Sequence, residues 1–151
     1  MKIPDYHYVT VIAASPERVW EALTTAEFTQ QYWHSTRVQS NWQVGSPIVF
    51  AVDDDGGEAV GCEGEILVAD YPRTLSYTWR FPRNPAVSSE APSRVTFELE
   101  SLGDFTRLGI THDQFPDDSN MAELVSHGWP LVLAGLKTLL ETGKAVDFSR
   151  Y

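Results

Sequence analysis

The stretch Thr74-Leu75-Ser76-Tyr77-Thr78-Trp79-Arg80-Phe81 alternates without a break: Leu75, Tyr77, Trp79 and Phe81 fall on one parity, Thr74, Ser76, Thr78 and Arg80 on the other. A period of two marks a strand with one buried face, and aromatic residues suit that half-buried surface. The pattern recurs on both sides. Downstream, Val95, Phe97 and Leu99 alternate with Arg94, Thr96, Glu98 and Glu100; past a turn at Gly103-Asp104, Leu108, Ile110 and His112 alternate with Arg107, Gly109 and Thr111. Upstream, Ile66 and Val68 alternate ahead of the turn Tyr71-Pro72-Arg73, and Ile48, Phe50 and Val52 ahead of Asp53-Asp54-Asp55-Gly56-Gly57. Connections this short leave only antiparallel neighbours. Residues 35–115 therefore read as one antiparallel sheet with a wet face and an unusually aromatic apolar face.

Helical signals bracket the sheet. Tyr6, Tyr8, Val9, Val11 and Ile12 predict a first strand. Ser15 then suits an N-cap, Pro16 the first helical position and Glu17 the positive helix end, with Val19, Trp20 and Leu23 at helical spacing. Thr25 suits a second cap before Phe28 and Tyr32, so two short helices follow the first strand. At the other end Asp117, Asp118 and Ser119 supply cap chemistry. Met121, Leu124, Val125, Gly128, Trp129, Val132, Leu133, Leu136, Leu139 and Leu140 then make a wide apolar stripe that ends at Gly143. Pro130 deletes a backbone hydrogen bond and predicts a kink near Gly128; the stripe carries the helix across it. The order of strand, two helices, six strands and long helix defines an α+β class with helices on one sheet face.

Composition narrows the function. The 151 residues are 42% hydrophobic and 12% aromatic, enough for one domain (residues 1–151) with a substantial core and too apolar for a disordered chain. No run approaches the length of a membrane span, and no basic start followed by an apolar segment signals secretion. Acidic residues number 21 against 11 basic ones, a formal charge of −10. That field repels phosphate backbones, which argues against nucleic acid as a partner. Cys62 is the single cysteine, so no internal disulfide or cysteine zinc cage forms. A soluble, reduced, cytoplasmic protein is the expectation.

Few residues carry chemistry. His112 shares the parity of Leu108 and Ile110 and should face inward, as a ligand contact or general base or as a histidine hydrogen-bonded to backbone or helix. A metal pair of His112 with His127 lacks a third ligand, and His7 and His34 suit the surface. The acidic turn at 53–58 fails as a calcium loop: its obligatory glycine position holds Glu58, and its final acid position holds Gly64. Glu63, Glu65, Glu98 and Glu100 fall on the outer parity, so no carboxylate pair converges inside. No nucleophile elbow occurs, and Cys62 reads as a small buried hydrophobe. The positive evidence is the aromatic face: Phe50, Tyr77, Trp79, Phe97 and Trp129 should share the sheet–helix interior, where rings that large either fill a core or wall a cavity.

Several segments resemble, in order and spacing, the activator of heat-shock protein 90 ATPase-like family of the START-like (SRPBCC, Bet v 1-like) superfamily. These are Ser15-Pro16-Glu17-Arg18-Val19-Trp20-Glu21-Ala22-Leu23-Thr24; Trp33, Trp42 and Gly45; Gly64 to Asp70 with Pro72, Arg73, Leu75 and Tyr77-Thr78-Trp79; Arg94-Val95-Thr96-Phe97; Thr106 to His112; and Gly128-Trp129-Pro130 through Gly143. The likeness covers nearly the whole chain. It implies a helix-grip fold, in which a curved antiparallel sheet of six to seven strands wraps a long C-terminal helix around an apolar cavity. Fold alone does not fix activity. The leading expectation is non-enzymatic binding of a small, largely hydrophobic ligand, lipid-like or aromatic, by Phe50, Tyr77, Trp79, Phe97, His112, Met121, Val125, Trp129 and Leu133. The kink and the loop Gln114–Asn120 are candidate gates. No catalytic residue, metal or cofactor is assigned. The alternatives are a cyclase- or hydrolase-type enzyme using the same cavity, and a chaperone cofactor or other protein-interaction module. The chain resembles only one domain of the eukaryotic co-chaperone, which carries a separate chaperone-binding domain. A homodimer is left open.

Overall fold

The computed structural model describes residues 1–148. The elements run β1 (Tyr6–Ile12), α1 (Pro16–Thr24), α2 (Ala26–Tyr32), β2 (Arg37–Ser40), β3 (Pro47–Asp54), β4 (Gly57–Asp70), β5 (Thr74–Trp79), β6 (Ser93–Ser101), β7 (Thr106–Asp113) and α3 (Met121–Thr142). All seven strands join one antiparallel sheet in the order β1-β7-β6-β5-β4-β3-β2. The expected α+β helix-grip architecture is present, with its two short helices after the first strand and its long C-terminal helix. Among the described residues no helix is long and apolar enough to cross a membrane.

Alternation places the core. Leu75, Tyr77 and Trp79 of β5, Val95, Phe97 and Leu99 of β6, and Leu108, Ile110 and His112 of β7 are all buried, as their common parity predicts. Glu98 and Glu100 face outward. One parity reading fails. Val68 is 39% exposed while Ile66 is fully buried, because the β4–β5 register shifts between them. A bulge adds one residue and turns the next side chain to the other face. A second shift, between Phe50 and Ala51 on β3, bends the same end of the sheet.

The helix ends combine local and distant chemistry. Ser15 caps α1 by accepting the Arg18 N–H at 3.2 Å. Thr25 stands at the N-cap of α2 but makes no side-chain capping bond. α3 runs unbroken through Pro130 and ends at Gly143 in the left-handed conformation, whose N–H returns to the Leu139 carbonyl. Its start differs from the expected local cap. Ser119 Oγ accepts the Met121 N–H at 3.0 Å, but the Asn120 N–H goes to a carboxylate oxygen of Glu90 at 2.8 Å, and the other oxygen of Glu90 accepts the Ser119 hydroxyl. Asp118 instead pairs with the chain's amino terminus at 2.9 Å. A carboxylate at a helix N-terminus meets both free N–H groups and the positive helix end. Glu90→Ala should therefore lower stability by about 1 kcal/mol, a melting-temperature drop of about 2–4 °C. An unchanged calorimetric melt would show that Glu90 does not hold the helix start.

Candidate functional site

The turn between α2 and β2 opens the inner face of the sheet. Trp33 closes α2, then His34 and Ser35 both take positive φ, 50° and 58°, a conformation uncommon outside glycine. Thr29 holds the turn: its hydroxyl donates to the Thr36 carbonyl at 2.9 Å and accepts the Val38 N–H at 3.2 Å. The result drives Trp33 and Thr36 into the protein, where both are buried. Trp33 lies 4.7 Å from Phe50 and 5.4 Å from Trp129, and Trp79 lies 5.1 Å from Trp129, ring centre to ring centre.

These rings do not tile the whole space. A partly open, mostly apolar cavity of about 230 Å³ lies between the sheet and the middle of α3. Its floor is Phe50 and Val52 of β3, Gly61 and Cys62 of β4, and Trp79 with Phe81 at the end of β5. Trp33, His34 and Thr36 close one side, and Leu124, Val125, Gly128, Trp129 and Val132 of α3 the other. Leu124 is 38% exposed and His34 is exposed, so both belong to the mouth.

Of the residues expected to meet a ligand, Phe50, Trp79, Val125 and Trp129 line this cavity. Tyr77, Phe97, Met121 and Leu133 are buried in the core but do not line it, and neither does the loop Gln114–Asn120. Gly128, at the expected kink, does line it. His112 sits one layer deeper, fully buried, with Phe115 stacked on it at 4.8 Å. The lining that sequence reasoning missed is chiefly Trp33, His34, Thr36, Gly61 and Val132. Trp33 carried a signal as one of the residues that resemble the family; the left-handed turn at His34 and Ser35, which has no glycine, carried none.

The hydrogen bonds of His112 fix its tautomer. The Trp129 indole N–H, a donor only, gives its hydrogen to Nδ1 at 3.1 Å. In the neutral ring Nε2 then carries the hydrogen and donates it to Ser93 Oγ, 2.7 Å away. Burial pushes the imidazole down to about 3, against a small opposing pull from Asp113. Protonation would also put a hydrogen on Nδ1, facing that of Trp129. His112 is thus a neutral buried clasp between β6, β7 and α3. It donates to the serine, so it does not withdraw the serine's proton as a base in a nucleophilic pair must. Cys62 is a buried free thiol, and burial raises its pKa further. Among the described residues no cluster of three histidine, cysteine or acidic side chains can hold a metal ion.

An apolar cavity gripped between a bent antiparallel sheet and a long terminal helix defines a helix-grip domain of the START-like class. The chain belongs to the family described as Activator of Hsp90 ATPase homolog 1-like protein, which matches residues 13–141. Three similar solved structures illustrate the class. A Cytophaga hutchinsonii protein is 29% identical, with 95% of this chain and 98% of that one covered at a TM-score of 0.73. An HSP90 activator from Plasmodium falciparum is 19% identical, with 91% and 96% covered at 0.73. The Aha1 dimer from Colwellia psychrerythraea is 21% identical, with 95% and 100% covered at 0.72. No curated protein matches the sequence.

Proposed function

We propose that the protein binds a small, largely hydrophobic molecule, without chemical conversion, in the cavity between sheet and α3. The observation that supports this most is the void itself, about 230 Å³ walled by Trp33, Phe50, Trp79, Phe81 and Trp129. Apolar, aromatic walls with few polar groups are the usual make-up of small-molecule sites. An engineered apolar cavity of about 150 Å³ holds benzene, so this one suits a single ring or a short acyl chain. A full lipid chain would have to extend through the mouth past Leu124.

Burial is the main drive for binding. Removing roughly 150–200 Å² of apolar surface from water supplies about 4–5 kcal/mol, a dissociation constant of order 0.1–1 mM. At ten times that concentration a ligand should stabilise the fold by about 1.4 kcal/mol, a rise of about 3–6 °C in melting temperature. Cys62 gives a second readout, because the only thiol lines the cavity. Its slow reaction with a small neutral thiol reagent should slow further when a bound ring covers it. A panel of single-ring and short-chain compounds that neither stabilises the fold nor protects Cys62 would sink the proposal.

The family description favours a second reading, a cofactor that contacts a chaperone, since one of the similar structures is that of an HSP90 activator. Stimulation of a chaperone's ATPase by the purified chain, undiminished when the cavity is occupied, would select that reading.

A further inference from the structure

Trp79, a residue of the cavity wall, carries a buried hydrogen-bond donor that the protein does not use. The indole nitrogen of Trp79 is buried and, among the described residues, has no acceptor; Trp79 as a whole is 4% exposed. Buried donors left unpaired are rare in folded proteins. Of the polar groups nearby, the Thr36 hydroxyl donates to the Trp33 carbonyl at 2.7 Å, and both nitrogens of His112 are bonded. The cavity lining contains no Lys or Arg, and the whole chain carries a charge of −10. An anion placed here would lose its hydration without gaining a cation.

Resting on the ligand-binding reading above, we propose that the occupant is a compact uncharged molecule, about one ring in size, whose single acceptor oxygen is received by the Trp79 indole N–H. A ketone, ester or ether oxygen fits that description; a carboxylate does not. Six rings surround Trp79 within 6.3 Å: Trp33, Phe50, Tyr77, Phe81, His112 and Trp129. Five of them are buried. Phe81, edge-on at 5.5 Å, is only half-buried and lines the same cavity. Its displacement is the least disruptive route by which an acceptor reaches the nitrogen. Phe81 is thus the inner gate of the polar end, and Trp79 the residue that sets specificity.

The test uses three probes of nearly one shape on the full chain at pH 7: α-methylstyrene, acetophenone and benzoate. Water holds the ketone far better than the hydrocarbon, so a cavity without a donor should prefer the hydrocarbon by tenfold or more. The expected result is that acetophenone binds at least as tightly as α-methylstyrene, and benzoate at least tenfold more weakly than acetophenone. In Trp79→Phe the ketone should lose at least tenfold relative to the hydrocarbon. In wild-type protein the indole proton of Trp79 should shift downfield in a proton–nitrogen correlation spectrum with acetophenone and not with α-methylstyrene. That readout stands even if the variant fails to fold. A tenfold preference for the hydrocarbon in wild type, benzoate binding equal to acetophenone, or a downfield shift with neither probe would overturn the proposal while leaving cavity binding intact. Failure of all three probes to bind would instead remove the ligand-binding reading beneath it.

Discussion

Gly64→Ala should cost the protein about 4 kcal/mol of stability, near the upper end of what one substitution removes, and lower its melting temperature by about 8–16 °C. Gly64 does not take a left-handed conformation. What it permits is a close approach: a Cβ here would lie 1.8 Å from the Thr78 carbonyl oxygen and 2.6 Å from the Thr78 carbonyl carbon. Both are backbone atoms, so no rotamer change relieves the clash. Around this point β4 and β5 are tied by paired bonds between Glu63 and Arg80, both 3.0 Å, and by Glu65 N–H to Thr78 Oγ1 at 2.8 Å. Separating the strands loses those bonds. It also moves Cys62 and Trp79, which flank the contact and form part of the cavity floor. Ligand-induced stabilisation should therefore shrink together with the melting temperature. Gly128→Ala should act in the opposite direction. Its added Cβ meets open space, and glycine inside a helix is about 0.5–1 kcal/mol worse than alanine. Denaturant titrations of the two variants beside wild type decide the matter. A Gly64→Ala midpoint within error of wild type would mean that the strands part without cost.

What the sequence makes legible follows the range of the interaction. Parity is local, so the inner faces of β5, β6 and β7 can be read from Leu75-Phe81, Val95-Leu99 and Leu108-His112, and the burial of Phe50, Tyr77, Trp79, Phe97 and Trp129 follows. Register is a property of two strands. The slip that exposes Val68 depends on how β4 meets β5, which the alternation of β4 alone does not encode. Capping by Glu90 is hidden for the same reason, since its carboxylate reaches Asn120 from 30 residues away in sequence. The cavity is partly legible. Its aromatic floor and the α3 wall are in the pattern, whereas the wall from Trp33 to Thr36 depends on a turn without glycine and on the buried hydroxyl of Thr29. The inward direction of His112 could be read, but its partners could not, because Ser93 and Trp129 reach it from different elements. The unused donor of Trp79 emerges only when every acceptor around it has been assigned.

The His112 clasp should make acid the protein's weak point, with an effect of up to about 5 kcal/mol. In the unfolded chain the imidazole titrates at its ordinary value of about 6.5; in the fold burial holds it down to about 3. Below about pH 6.5 the unfolded state therefore binds a proton that the folded state refuses, and stability falls as pH falls, by about 1.4 kcal/mol per pH unit. The loss ends near pH 3, where the folded ring protonates as well; above pH 6.5 the group contributes no slope. Other groups add to the acid slope. Asp113, held down first by its hydrogen bond from Arg94, and Glu141, held down first by Lys137, both lose favourable interactions when protonated. A variant that keeps the hydrogen bonds and removes the titration isolates the histidine. In His112→Gln the amide oxygen can accept from Trp129 and the amide nitrogen can donate to Ser93, with no proton to gain. Between pH 7 and pH 4.5 wild type should lose about 2–3 kcal/mol more than this variant, as measured by denaturant unfolding at each pH. The fluorescence of Trp129 should report the same transition, because its indole N–H loses its acceptor when the clasp opens. Parallel pH profiles for the two proteins would show that protonation of His112 does not limit the fold. Profiles that separate only below pH 6.5 would place this neutral imidazole, one layer behind the cavity wall, at the centre of what keeps β6, β7 and α3 together.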